Sequence, residues 1–167
     1  MMKIIMMMAI TADGKIAKND SHFPNWTSKE DKTMFAKITK EHRAVLMGDK
    51  TFWTFPAPLP ERLNVVFTLE NNPPKIEGVK WVSGEPEKVL AELEEMGYES
   101  AVLGGGCYLN TLFLRKKLID EIILTIEPKI FGGGLSLFNE NVNIDLELLE
   151  AKKINNQSIM LRYKVLY

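Results

Sequence analysis

An α/β fold with a mixed central sheet is predicted by three features of the sequence. Apolar runs of strand length alternate with segments of helical period along most of the chain. Ile4 to Ile10 is apolar throughout, as a buried central strand requires. The chain ends on two consecutive strand candidates separated by Asn155-Asn156, a turn dipeptide that brings an antiparallel hairpin to the sheet. With 167 residues, 46% hydrophobic and 26% charged, a single domain over positions 1–167 with one sizeable core is expected.

Each element follows from local pattern. Lys3 to Ile10 reads as the first strand. Thr11 to Trp26 is polar and turn-rich (Asp13-Gly14, Asn19-Asp20, Phe23-Pro24), and a loop of that length inside a compact domain is often functional. Ser28 is placed as an N-cap, with Glu30 and Asp31 in the first turn, where the helix dipole favours acids. Asp31, Met34, Phe35 and Ile38 then share one helix face. Ala44 to Met47 is a strand running into Gly48, with a short helix starting near Lys50. Leu63 to Thr68 follows the proline-rich loop Pro56 to Pro60, and Val79 to Val82 is the next strand. Glu85 to Met96 is an amphipathic helix closed by Gly97. Ser100 to Leu103 is a short buried strand, succeeded by Gly104-Gly105-Gly106 and a helix to about Lys116. Glu121 to Glu127 is a strand stopped by Pro128. Ile144 to Ile154 and Ser158 to Leu166 form the terminal hairpin.

Several function classes are disfavoured. There are 21 basic and 22 acidic residues, a formal net charge of -1, so no electrostatic case exists for nucleic acid as the main partner. The lone cysteine, Cys107, cannot form an internal disulfide. The apolar N-terminal run is too short to span a bilayer and lacks the flanks of a signal peptide. No membrane association and a cytoplasmic location are therefore expected. His22 and His42 show no zinc spacing with Cys107, and no nucleophilic triad has a local signature, so no metal is expected.

Three segments could carry chemistry. Gly104-Gly105-Gly106 stands at a strand-to-helix junction, where a ligand can approach the backbone and a helix start offers amides to phosphate. Leu109 occupies the position of the last glycine in a dinucleotide fingerprint, and no Gly-Lys-Ser/Thr follows. The turn is thus neither a Rossmann motif nor a P-loop, and a tight turn without ligand explains it as well. Asp31 lies on an apolar helix face. Its carboxyl should lose hydration and rise in pKa, and could bind an amidine-like ring edge. Equally, it could be a solvated first-turn acid. In Met47-Gly48-Asp49-Lys50-Thr51 a strand ends and a helix begins, with Lys50 adding positive charge for a phosphate, or merely completing a turn.

Taken together, these segments resemble dihydrofolate reductase and its relative, the reductase domain of riboflavin biosynthesis, over nearly the whole chain. Ala12-Asp13-Gly14-Lys15-Ile16-Ala17 resembles the start of the mobile active-site loop in both branches. Trp26, Asp31 and Phe35 resemble the segment bearing the substrate-binding carboxylate and stacking aromatic of dihydrofolate reductase. Pro58-Leu59-Pro60-Glu61-Arg62-Leu63-Asn64 resembles its Pro-Leu-Pro-x-Arg segment, and Leu103-Gly104-Gly105-Gly106 its cofactor-binding turn.

The resemblance implies a dihydrofolate reductase-like three-layer fold: a mostly parallel mixed sheet, helices on both faces and a C-terminal antiparallel hairpin. It implies hydride transfer from NADPH to a pterin, with dihydrofolate first and the ribosylaminopyrimidine phosphate of riboflavin synthesis as the alternative. A non-catalytic nucleotide-binding protein is a more distant possibility. Asp31 and Thr125 would be catalytic, and Ala9, Phe35, Phe55 and Arg62 would bind substrate, Arg62 by holding the carboxylate of the glutamate tail. Ala9, Ile16, Gly48, Lys50, Thr51, Thr68, Leu103, Gly104, Gly105, Gly106 and Cys107 would bind cofactor, with a cis peptide between Gly104 and Gly105. Closure of the Thr11 to Trp26 loop would exclude water.

Two departures qualify the resemblance. Asp49 stands where the family usually has an arginine for the NADPH 2′-phosphate, which keeps NADH open, although Lys50 and Thr68 could compensate. Asp120-Glu121 and Pro128 to Gly134 resemble the riboflavin branch, whereas Thr51 to Pro56 lacks that branch's Thr-Val-x-x-Asp-Asp-Pro run. Relatives in the riboflavin branch are often dimers, so a homodimer is the expectation over a monomer.

Overall fold

The computed structural model describes all 167 residues. In chain order the elements are β1 (Lys3–Thr11), β2 (Lys15–Ala17), α1 (Lys29–Glu41), β3 (Ala44–Gly48), α2 (Asp49–Phe52), β4 (Leu63–Phe67), β5 (Val79–Val82), α3 (Pro86–Glu95), β6 (Ser100–Leu103), α4 (Cys107–Arg115), β7 (Glu121–Glu127), β8 (Leu135–Ser136), β9 (Asp145–Lys153) and β10 (Ile159–Leu166). Eight strands form one sheet in the order β5-β4-β3-β6-β1-β7-β10-β9. The six strands from β5 to β7 run parallel, and β10 and β9 are antiparallel additions at one edge. The expected mixed, mostly parallel sheet with a terminal hairpin is therefore present.

The uninterrupted apolar character of β1 has a direct cause. Both sheet faces are covered, so successive side chains enter different cores. Ile4 and Met6 join the cluster packed by Val89, Leu90 and Leu93 of α3 and by Leu109 and Phe113 of α4. Ile5 and Met7 join the opposite cluster, against which Met34, Phe35 and Ile38 of α1 pack. Three layers result. No helix is long and apolar enough to cross a membrane.

α1 starts as its sequence dictates: the Ser28 hydroxyl accepts from the Asp31 N–H at 3.2 Å. α3 begins on Pro86, whose missing N–H costs nothing there, and Gly97 follows its end at φ 86°. At the hairpin tip the Asn155 side chain accepts from the Gln157 and Ser158 N–H groups.

Two expectations need correction. The Thr11 to Trp26 segment is not wholly loop, because β2 pairs antiparallel with β8 in a separate two-stranded sheet. The cis peptide joins Gly105 and Gly106, not Gly104 and Gly105. Gly104 still follows the strand ladder, since its N–H donates to the Leu46 carbonyl at 2.8 Å while Gly105 O accepts from the Gly48 N–H at 2.9 Å. The chain turns only after that pair.

Candidate active site

The parallel pairing of β1 with β7 sets Ala9 opposite Thr125, and antiparallel β10 sets Met160 on the other side of Thr125. Above these strands lies the first turn of α1, carrying Asp31, which is only 7% exposed. Burial is the largest influence on its carboxyl and pushes the pKa up. Hydroxyls of Thr125 and Thr27 pull it down, the Glu127 carboxylate pushes it up, and Lys32 pulls it down. The net direction is upward, as expected from its apolar face. The Thr125 hydroxyl is itself buried and has no hydrogen bond of standard geometry, although it lies close enough to act on Asp31.

One helical turn on, Phe35 connects the two halves of the site. Its ring packs against the Ile5/Met7 cluster and also against the Val45/Met47 cluster, which Phe55 and Leu59 border as well. Beneath it lies the glycine turn. A Cβ on Gly104 would touch the Phe35 ring at 3.6 Å. One on Gly105, at φ 93°, would approach the Met8 methyl to 2.9 Å, and one on Gly106 would meet the Thr51 hydroxyl at 3.4 Å. Larger residues would fill this cradle. α4, nine residues long, leaves the turn with no side-chain cap on its first amides and no acid in its first turn. Those amides are available to an anion. Burial pushes the half-buried Cys107 thiol at this helix start up in pKa, so it is a poor nucleophile.

On the neighbouring strand ends, Asp49 accepts from the Thr68 hydroxyl at 2.8 Å and from its own neighbour's N–H, that of Lys50, at 2.7 Å. Lys50 turns away to Asp20 at 2.9 Å. Both partners are exposed, so solvent screens the pair and Lys50 is held weakly.

Arg62 enters from the opposite end of α1. Its Nε donates to the Pro60 carbonyl at 2.7 Å, and Nη1 donates to the Thr39 hydroxyl and the Ala36 carbonyl. Burial lowers its pKa from the ordinary arginine value, and Glu61 opposes that. Thr39 follows Asp31 by eight residues, about 12 Å along a helix. Asp31 and Arg62 therefore lie at the two ends of one helix, on the side where Phe35 projects.

Comparison with known proteins identifies the frame. The family model described as the RibD C-terminal domain matches residues 2–160. The chain belongs to the RibD C-terminal domain family. A Caenorhabditis elegans protein carrying the provisional name dihydrofolate reductase is 30% identical over 172 residues, covering 95% of this chain and 86% of that protein. Acinetobacter baumannii RibD superposes with a TM-score of 0.85 at 18% identity, over 100% of this chain and 59% of RibD. This RibD C-terminal domain thus spans less than two thirds of that relative. Dihydrofolate reductase from Enterococcus faecalis, complexed with NADP(H), superposes at 0.73 with 22% identity, over 98% and 96% of the two chains. These structures share the fold. Family and relatives together point to an oxidoreductase of the dihydrofolate reductase and RibD type.

Within this RibD C-terminal domain the long loop is tied down at several points. Asp13 accepts from the Thr11 hydroxyl, the Gly132 N–H at 2.7 Å and the Phe131 N–H at 3.2 Å. The Thr11 bond, the largest influence, holds its carboxyl below the usual range against a smaller desolvation effect. Trp26 and His22 meet the Phe131 ring edge to face at 5.1 and 5.4 Å. Ile16, in β2, is half-buried within this junction.

Glu127 was not singled out by its sequence, yet it is 3% exposed and sits among the same elements. A signal existed: side chains two apart on a strand share a face, so Glu127 follows Ile123 and Thr125 towards α1.

Proposed function

We propose that this protein is a nicotinamide-dependent reductase that delivers hydride to a flat heterocycle with a polar edge, dihydrofolate being the leading substrate. The observation carrying this reading is buried Asp31 beside the Thr125 hydroxyl, one helical turn from Phe35, whose ring in turn lies within contact of a Cβ on Gly104. When bound, the cofactor supplies the hydride. The chain supplies the rest. The glycine cradle and the uncapped start of α4 suit a pyrophosphate, and Leu103 to Cys107 with Gly48 and Thr51 would hold it. Phe35 and Phe55 would pack against the substrate ring. Asp31 would accept hydrogen bonds from its amino group and ring N–H, with Thr125 orienting both. Because burial favours the protonated form of Asp31, it can also hold a proton for delivery through water to the ring nitrogen beside the reduced carbon. Ala9 and Ile16 would border the nicotinamide, and the β2 loop would keep bulk water out.

Reduction of the ribosylaminopyrimidine phosphate is the second reading, favoured by the RibD family match. Arg62 separates the two. A guanidinium with Nη2 free can take a tail carboxylate, which the pyrimidine substrate lacks. Arg62→Ala should raise KM for dihydrofolate about tenfold or more, with circular dichroism confirming the fold, since Arg62 also buttresses α1. An unchanged KM would remove the clamp and favour the second reading.

NADPH is the proposed cofactor on the strength of Lys50, Thr68 and the family. Asp49 works against a phosphate on its ribose. The ratio of kcat/KM for NADPH over NADH should rise about tenfold or more in Asp49→Arg, through one new charge-assisted hydrogen bond. A ratio that does not move would place Asp49 outside the cofactor contact.

A further inference from the structure

Only two carboxylic side chains are buried in this molecule, Asp31 and Glu127, and they are neighbours. Glu127 has no ion-pair partner. Instead its Oε1 accepts from the Ser28 N–H at 2.8 Å and its Oε2 accepts from the Ser158 hydroxyl at 2.6 Å. Ser28 is the N-cap of α1, and Ser158 is the residue immediately before β10. One carboxylate at the end of β7 therefore ties the start of the helix that carries Asp31 to the strand that flanks Thr125. Ser28 is bound twice over, by Glu127 through its N–H and to Asp31 through its hydroxyl.

We propose that Glu127 is a positioning residue for Asp31, fixing the N-terminus of α1 against β7 and β10 and keeping a second negative charge beside the site. The role deepens the function proposed above, and rests on Asp31 being its substrate-binding carboxylate. Two buried carboxylates in different hydrogen-bonding environments are shifted in opposite directions, which suits them to different work. Burial is the largest single influence on Glu127 and pushes its pKa up. The hydrogen bonds from Ser158 and Ser28 together outweigh it, with Lys129 assisting, so the net direction is down. Its hydrogen bonds thus favour the Glu127 anion, whereas burial of Asp31 favours the protonated carboxyl. The other charges nearby do not reverse this. Lys32 on α1 lowers Asp31 as the smallest influence, and exposed Glu30 on the same turn is occupied by the Asn155 amide at 3.2 Å.

Glu127→Gln isolates the charge. The amide oxygen can still accept from Ser28 and the amide N–H can donate to the Ser158 oxygen, so the clamp persists without its anion. Carboxyl NMR titration of the ligand-free protein reads both groups directly. In the wild-type chain Glu127 should ionise below the ordinary glutamate value and Asp31 above the ordinary aspartate value. In Glu127→Gln the acid dissociation constant of Asp31 should rise about threefold, the effect of removing a unit charge several ångströms away under water-like screening. A clamp with no electrostatic role would leave Asp31 unmoved. A Glu127 carboxyl that ionises above its ordinary value in the wild type overturns the proposal. So does an unmoved Asp31 in folded Glu127→Gln; if that variant does not fold, the direction of the wild-type Glu127 shift decides alone. No substrate or cofactor enters this experiment, so its outcome is separable from that of any reductase assay.

Discussion

Asp31→Asn is expected to lower turnover by about a hundredfold or more while making the folded protein more stable at neutral pH. Both effects come from one cause. Folding takes the Asp31 carboxyl out of water, and burial outweighs the pull of the nearby Thr125 and Thr27 hydroxyls, so its pKa is higher folded than unfolded. The folded state then binds more protons at Asp31 than the unfolded chain over that interval, and stability falls as pH rises through it. Asn cannot ionise and escapes this penalty. The stability difference between variant and wild type should be largest at neutral pH. It should vanish as pH falls below the ordinary aspartate value of about 4. Denaturant melts of both proteins at several pH values measure it, and a variant less stable than wild type at neutral pH would mean that Asp31 is held by favourable contacts. In turnover the sign reverses. An amide can neither pair with an amidine-like edge as an anion nor hold the proton, so the group that costs stability is the one the proposed reaction uses.

Gly134→Ala should cost about tenfold to a hundredfold in kcat/KM, because small misplacements around a reacting pair are expensive. Gly134 lies at φ 122°, a conformation that disfavours any side chain, and its added Cβ would collide with the Ala17 carbonyl and stand 3.1 Å from the Lys18 Cα. Those are backbone atoms, so no rotamer change relieves the clash. β2 must separate from β8, loosening the Asp13 bonds to Phe131 and Gly132 that share the junction. Amide exchange at Lys15 to Ala17 should accelerate, with little change in global unfolding, since the junction lies outside the three core clusters. Gly133→Ala, where a Cβ would meet nothing within 4 Å, is the control. Wild-type exchange and activity in Gly134→Ala would show that this junction does not govern the site.

The features that sequence reasoning reached are those with a local physical cause. The run through β1 is apolar because both faces are covered. Ser28 caps α1 because its hydroxyl reaches the Asp31 amide. Asp31 and Phe35 share a face because helical period puts them there. The features it missed depend on distant pairing. β2 and β8 have three and two residues and lie more than a hundred positions apart, too short for any periodicity and joined by no turn. The Ala9–Thr125 register belongs to a parallel pair, which carries no local signature. Lys50 reads from sequence as a candidate phosphate ligand, and its pairing with Asp20 depends on where the long loop folds back. Glu127 read as the last residue of a strand before Pro128. Its burial becomes visible only when Ser28 and Ser158 arrive from both sides.

Hydride transfer by this protein is read directly as the loss of reduced-nicotinamide absorbance when purified protein is mixed with NADPH or NADH and either dihydrofolate or the ribosylaminopyrimidine phosphate. Equimolar oxidation of cofactor and reduction of ring is expected, fastest with dihydrofolate and strongly reduced in Asp31→Asn. Folded protein that oxidises neither cofactor with either substrate would contradict it.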